Sequence, residues 1–289
     1  MSGSDRAWAV PPPSWPVEPT GELHLAVGSR GNRSVATRQH HRGALRVIRP
    51  MYLDDSSQVT YVMVNPGGGY LGGDTYFTDV VVDDGARLLL TTQAATKVYR
   101  TPGNRARQRT EAVLGEGAVL EIIPDQLIAY RGAAYEQTTH VTMAPSAILI
   151  SLDVVTPGWA PDGSAFGYDS VRLRTRVDIA GSPVLLDNLR LEPADGDMRA
   201  LGLLEGHSHV GSLTVIGQRT DDGIIERVRA LLANVGAGVR AAVTRIEGPG
   251  MLVRVLGHDT GTITALLLGV DALVRREWLG ASPLVLRKY

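Results

Sequence analysis

Glu205, His207 and His209 stand at i, i+2 and i+4 in the stretch EGHSHVG. On an extended strand all three side chains would leave from one face, and a carboxylate with two imidazoles is a competent donor set for a borderline divalent cation. A solvated turn ahead of the strand that begins near Ser212 accommodates the same residues, so the candidate metal site carries that alternative beside it. A second set consists of single acids. Glu121, Asp153 and Asp187 each follow a turn inside an otherwise apolar strand, where a carboxylate is costly unless it is paired, hydrated or facing a water-filled space. Ion pairs with Arg172, Arg174 or Arg190 are the structural alternative. Nucleophile patterns are missing: there is no GxSxG and no HExxH, and no catalytic residue is expected.

Asp74 closes the stretch NPGGGYLGGD, which places five glycines in nine positions. A phosphate-binding loop would need a helix after the glycines and a Lys-Ser/Thr pair to close it. The glycines lead instead into DTYFTDVVVDD, whose alternation and β-branched content predict a strand. They therefore supply tight turns, and Asp74 sits at the mouth of the strand.

These acids must be positioned by β structure. TDVVVDDGARLLL, TEAVLGEGAVLEI, TTHVTMAPSAILIS and TRVDIAGSPVLLD share one pattern of strand, short turn and strand. Their turn residues Gly85, Gly117, Ser146 and Ser182 are 32, 29 and 36 residues apart. Such self-similarity predicts stacked units with a continuous core, a mainly β, superhelical or β-helix-like stack. A large β-sandwich is the alternative. From Ser212 onward the texture changes to strand, helix, two strands and helix, with Asp221 or Asp222 as the first helix N-cap. Ile224, Ile225, Val228, Leu231 and Leu232 fall on one face of that helix. The expected organisation is a flexible Pro-rich arm over 1–20, a β-rich body over 21–206, and a small α+β portion over 207–289 packed on it.

With 289 residues, 44% of them hydrophobic, the chain can build a substantial core. Cysteine is absent, which removes disulfides, thiolate ligands and cysteine nucleophiles and leaves only oxygen or imidazole donors for a metal. A net charge of −1 offers no general attraction to nucleic acid or to anionic lipid. The N-terminus lacks the basic start and apolar run of a signal peptide, so a cytoplasmic location is expected.

Taken together, GALRVIRPMY (43–52), NPGGGYLGGD (65–74), LTTQAATKVYRT (90–101), VLEIIPDQLIAYRGA (119–133), SLDVVTPGWAPDGSAF (151–166), LLDNLRLEP (185–193) and SPLVLR (282–287) resemble the urease accessory protein UreD family, called UreH in some organisms. The resemblance runs from about Gly21 to the end of the chain. It implies a non-enzymatic scaffold that binds apo-urease and the accessory protein UreF, with the GTPase UreG joining through UreF. It also implies transient passage of nickel, Ni2+, through an internal water-filled tunnel, with no tightly bound cofactor. On the matching motifs the nickel path falls on Asp74, Asp153 and Asp187, with Glu121, Thr96 and Lys97 beside them. One departure is Gly158-Trp159 and Gly163-Ser164, where many members carry Gly-Arg and Gly-Glu; no site role is assigned to Trp159 or Ser164. Rival readings are a β-solenoid enzyme acting on a polysaccharide, whose paired acids would line an open cleft, and a plain interaction scaffold with no ion path.

Overall fold

The computed structural model describes residues 18–286. The Pro-rich arm lies outside them except for its last three residues. In chain order the strands are β1 (Gly21–Arg30), β2 (Arg33–Gly43), β3 (Arg46–Val47), β4 (Val59–Val64), β5 (Thr75–Val82), β6 (Arg87–Thr92), β7 (Thr96–Val98), β8 (Ala106–Leu114) and β9 (Val119–Ile123). They continue with β10 (Leu127–Ala129), β11 (Ala134–Met143), β12 (Ile148–Val155), β13 (Ser170–Ile179), β14 (Ser182–Leu191), β15 (His209–Ile216), β16 (Arg240–Arg245) and β17 (Gly250–Gly257). Two helices, α1 (Asp222–Ala233) and α2 (Thr260–Val274), fall in the C-terminal part.

The body is a β-solenoid-like stack. Its first sheet runs β14-β13-β11-β8-β5-β1-β2 and its second runs β16-β17-β15-β12-β9-β6-β4-β3. Within the stack the neighbours β5, β8, β11 and β13 are parallel, as are β6, β9 and β12. That is the pattern of coils laid on coils, not of an antiparallel sandwich. Thr75 lies opposite Arg107, Ala106 opposite Tyr135, and Ala134 opposite Ser170. These offsets of 32, 29 and 36 residues equal the spacings of the four turns in the sequence. A short third ladder joins successive coils through β7, β10 and single bridges at Tyr70–Val98 and Tyr130–Trp159.

The corners explain the glycines. Gly85 and Gly117 adopt φ of 68° and 64°, a left-handed conformation that a Cβ would strain, and the amide of Gly85 donates to the carbonyl of Glu116 on the next coil at 2.8 Å. The fourth sequence unit behaves differently. Ala180 and Gly181 both have positive φ, 49° and 82°, as a two-residue hairpin turn demands. The chain therefore folds back within the first sheet, β13 against β14 antiparallel, instead of crossing to the second.

Apolar side chains fill two layers. One lies between the sheets and includes Leu23, Leu88, Leu120, Val141 and Leu149; the other lies between the outer face of the second sheet and the helices. Helix α1 starts as predicted, the Asp221 carboxylate accepting the amide of Ile224 at 2.8 Å. Its Ile224, Ile225, Val228 and Leu232 are buried, with Leu231 packed beside them. The C-terminal segment docks through Leu284 and Leu286. Gly211 lets α2 approach β15 closely, since a Cβ there would stand 2.3 Å from Ile263 Cγ2 and 2.9 Å from Leu267 Cδ1. Gly211→Val is expected to destabilise the fold by about 1–3 kcal/mol through overpacking, read as a lower denaturant midpoint at unchanged slope.

Candidate functional site

Inward positions of a strand normally carry apolar side chains, but in the middle of this stack they carry hydroxyls and amides. Thr78, Thr110, Thr139 and Thr175 are register partners across β5, β8, β11 and β13, and Thr175 in turn lies opposite Asp187 on β14. The result is a row of hydroxyls crossing four coils and ending in a carboxylate. Facing it on the second sheet are Ser151 and Thr214, which are partners of one another, and the run Asp153, Ser212, Arg254 across β12, β15 and β17.

Between these walls lies a cavity of about 190 Å³, bounded by Tyr70, Tyr76, Thr78, Gln108, Thr110, Gln137, Thr139, Ser151, Asp153, Thr96 and Lys97 among others. A smaller pocket of about 10 Å³ is bounded by Asp153, Thr175, Asp187, Ser212, Thr214 and Arg254. The larger space has room for several waters and the smaller for about one. Asp153 borders both.

A hydrogen-bonded chain leads to Asp153. The Tyr70 hydroxyl donates to Gln108 Oε1 at 2.8 Å. Tyr135 places its hydroxyl 3.1 Å from Oε1 of both Gln108 and Gln137, so its one proton serves either amide. Gln137 Nε2 then donates to Asp153 Oδ1 at 2.9 Å. Burial pushes the Asp153 carboxyl up to about 6; the Gln137 hydrogen bond opposes it, the Asp187 charge adds to it, and Arg254 draws it back. A carboxylate poised near neutrality inside a hydroxyl-lined space with room for water can attract a divalent cation without holding it fast.

The structure brings some predicted residues together and separates others. Asp153, Asp187, Thr96 and Lys97 border the two spaces. The Asp74 carboxylate instead accepts from the Leu71 amide at 2.8 Å and from the hydroxyls of Thr20 and Tyr76 at 3.2 Å each. It is tied to the cavity through Tyr76, which stacks on Tyr70 with ring centroids 3.8 Å apart. Asp74→Ala should therefore loosen the glycine turn, costing about 1–2 kcal/mol, while Asp74→Asn, which keeps an acceptor, costs less. Denaturation of both variants checks the order.

Glu121 faces away from the cavity. Strand alternation sends Leu120 and Ile122 inward, so Glu121 points beneath α2, fully buried, with Arg275 Nη1 at 2.5 Å and 2.7 Å from its two oxygens. Nor do the arginines suggested by sequence proximity pair with the three acids. Arg172 and Arg190 bind Glu192, and Arg174 lies by Glu136, while Asp187 pairs with Arg254.

The Glu205, His207, His209 set is not assembled. Strand β15 begins only at His209, so the alternation that would align the three is absent. Glu205 has φ of 48° and pairs with Arg240; His207 bonds the Leu204 carbonyl at 2.9 Å; and His209 bonds Ser208 at 2.8 Å. Among the described residues no group of three His, Asp or Glu side chains is placed to hold a metal ion. Trp159, half-exposed, packs against Tyr130 in a tilted ring contact with centroids 5.0 Å apart, and Ser164 joins Asp162 in binding Arg131.

Gln108, Gln137, Tyr70, Tyr76, Arg254 and the threonine row were missed by sequence reading. A signal existed. In ARQRTEAVL and AYEQTTHVTM the inward phase set by the apolar end of each strand assigns Gln108, Thr110, Gln137 and Thr139 to the interior, a polar stripe where alternation calls for apolar residues.

Stacked coils enclosing a polar cavity define a β-solenoid-like scaffold with an internal site. The chain belongs to the UreD urease accessory protein family, which matches residues 19–288. It is 56% identical over 270 residues to the urease accessory protein UreD of Actinomyces naeslundii, covering 93% of this chain and 99% of the relative. The corresponding protein of Arthrobacter sp. strain FB24 is 51% identical over 277 residues, 94% of each chain, and that of Bacillus sp. strain TB-90 is 37% identical over 270 residues, 93% of this chain and 99% of the relative. No helix among the described residues is long and apolar enough to cross a membrane.

Proposed function

We propose that this chain is a maturation scaffold in the cytoplasm that binds apo-urease and UreF, with UreG joining through UreF, and that nickel crosses its interior on the way to the urease active site. The observation that carries the reading is the polar lining. The hydroxyl row Thr78, Thr110, Thr139, Thr175 ends at Asp187 and faces Asp153. Hydroxyls, amides and single carboxylates replace part of an ion's hydration without surrounding it, which favours passage over storage. Asp74 acts at a distance by fixing Tyr76 at the cavity wall. The acids border interior space rather than an open cleft, so a polysaccharide strand has no comparable groove to occupy at this site.

Plugging the cavity tests the passage. Thr139→Leu replaces a hydroxyl by apolar bulk at a position that borders open space, so the added volume enters the cavity rather than a packed core. Co-expressed with urease and the other accessory proteins, it is expected to assemble the complex, seen by pull-down, while nickel per urease active site falls several-fold. Normal nickel in an assembled complex would leave an inert scaffold as the better reading.

A further inference from the structure

We propose that Arg254 is the gate of this passage, a moving cation that closes the Asp187 end and must leave Asp187 before a metal ion can use it. The inference rests on the passage described above and adds a residue on which the sequence motifs are silent.

Four observations place the gate. Asp153, Ser212 and Arg254 are successive register partners on the inner face of the second sheet. From there the Arg254 guanidinium reaches across to the first sheet and pairs with Asp187. All four residues border the small pocket of about 10 Å³, the smaller of the two spaces that Asp153 borders. The pair also reaches solvent: the Arg254 and Asp187 side chains are 31% and 20% exposed.

The chemistry comes from the charge. A guanidinium stays protonated at any relevant pH, so the gate cannot be neutralised and can only move. While it is paired, Asp187 is unavailable as an oxygen ligand, and an incoming dication meets a fixed positive charge at close range. A divalent ion arriving from Asp153 offers Asp187 a stronger partner than a singly charged guanidinium. Because the ion pair is partly solvated, exchange of partners is easy, and Arg254 has solvent on its outer side into which to swing. The acid is thus alternately held by its own arginine and by the cargo, which keeps the end shut when the passage is empty.

Three variants distinguish a gate from a ligand or a structural pair. They are Asp187→Asn, Arg254→Gln and the double variant, each co-expressed with urease and the other accessory proteins, with complex assembly read by pull-down and nickel per urease active site followed over time. Asp187→Asn leaves Arg254 as an unpaired cation in the constriction, and initial loading is expected to fall at least about tenfold. Arg254→Gln keeps length and hydrogen bonding without the charge, and loading is expected to be at least as fast as in the native chain. The double variant removes acid and cation together and should recover most of the loss. A double variant as slow as Asp187→Asn would overturn the gate and leave Asp187 as a ligand in its own right. Slowed loading or failed assembly in Arg254→Gln would overturn it in favour of a structural pair. The cavity-plugging Thr139→Leu variant separates the two levels of the reading: if it loads poorly while all three variants load normally, the gate fails and the passage stands; if it loads normally, both fail.

Discussion

Nickel loading is expected to rise as pH is raised through about 6, and Asp153→Asn is expected to remove that rise and lower loading several-fold at neutral pH. Burial, the largest influence, pushes the Asp153 carboxyl up to about 6. Below that value the group is neutral and attracts no cation; above it the charge is present. Stability should move the opposite way. The folded-state value lies above the unfolded one of about 3.9, so between roughly pH 4 and 6 the native state holds a proton that the unfolded chain has lost. The favourable contribution is complete below about pH 4 and is lost as pH rises through about 6. At neutral pH the ionised, buried Asp153 is then a net burden, and Asp153→Asn should stabilise the fold by about 1–3 kcal/mol. Asparagine retains an acceptor for Gln137, so the change isolates charge. Paired measurements of loading against pH and of denaturant midpoint on the purified complex check both signs. An asparagine variant that loads normally and is no more stable would remove Asp153 from the proposal.

The second large effect concerns folding. Arg275, in a π turn that continues α2, is 1% exposed and holds four segments together. Its Nη1 bonds both oxygens of Glu121 and, at 3.0 Å, Gln58; Nη2 reaches Asp54 at 3.1 Å; and Nε donates to the Ser282 carbonyl at 2.8 Å. Asp271 lies in the same layer, fully buried, and neither carboxyl oxygen has a hydrogen-bond partner. Burial, then the nearby Glu121 charge, raises its carboxyl well above the ordinary range, and Arg275 draws it back. Arg275→Met should cost about 3–5 kcal/mol, because Glu121 is left buried without its partner. Against a typical total of about 5–15 kcal/mol, that loss should remove most soluble chain from the pull-down. The double variant Arg275→Met with Glu121→Gln should recover much of the loss, since replacing both partners leaves no orphan charge. A single variant of native stability would show that the pair is not structural.

These two acids show how far pattern carries. Asp153 and Glu121 looked equivalent in the chain, each a lone carboxylate in an apolar strand after a repeat turn. Strand alternation sends one to the cavity and the other under α2, and assigning the face requires the phase of every neighbouring coil. The repeat itself was legible because a coil corner needs a small or left-handed residue at a fixed interval, and the register reproduces that interval. The helices were legible from an Asp N-cap and a one-sided apolar face. The metal reading of Glu205, His207 and His209 failed because it assumed a strand four residues before β15 begins. The fourth repeat turned out to be a hairpin because two successive positive φ values reverse the chain.

By itself, then, the sequence determined the local alphabet: small corner residues at a coil-length period, helix starts and the family motifs. All of these depend on contacts within a few residues or on strict alternation. Tertiary structure alone decided the partners. Asp187 meets an arginine 67 residues away and Glu121 one 154 residues away, across sheets that no local signal relates. The physical reason is that the field at a buried carboxylate comes from whatever packing brings within a few ångströms of it, and in a stacked fold those groups come from distant coils and from the C-terminal helix.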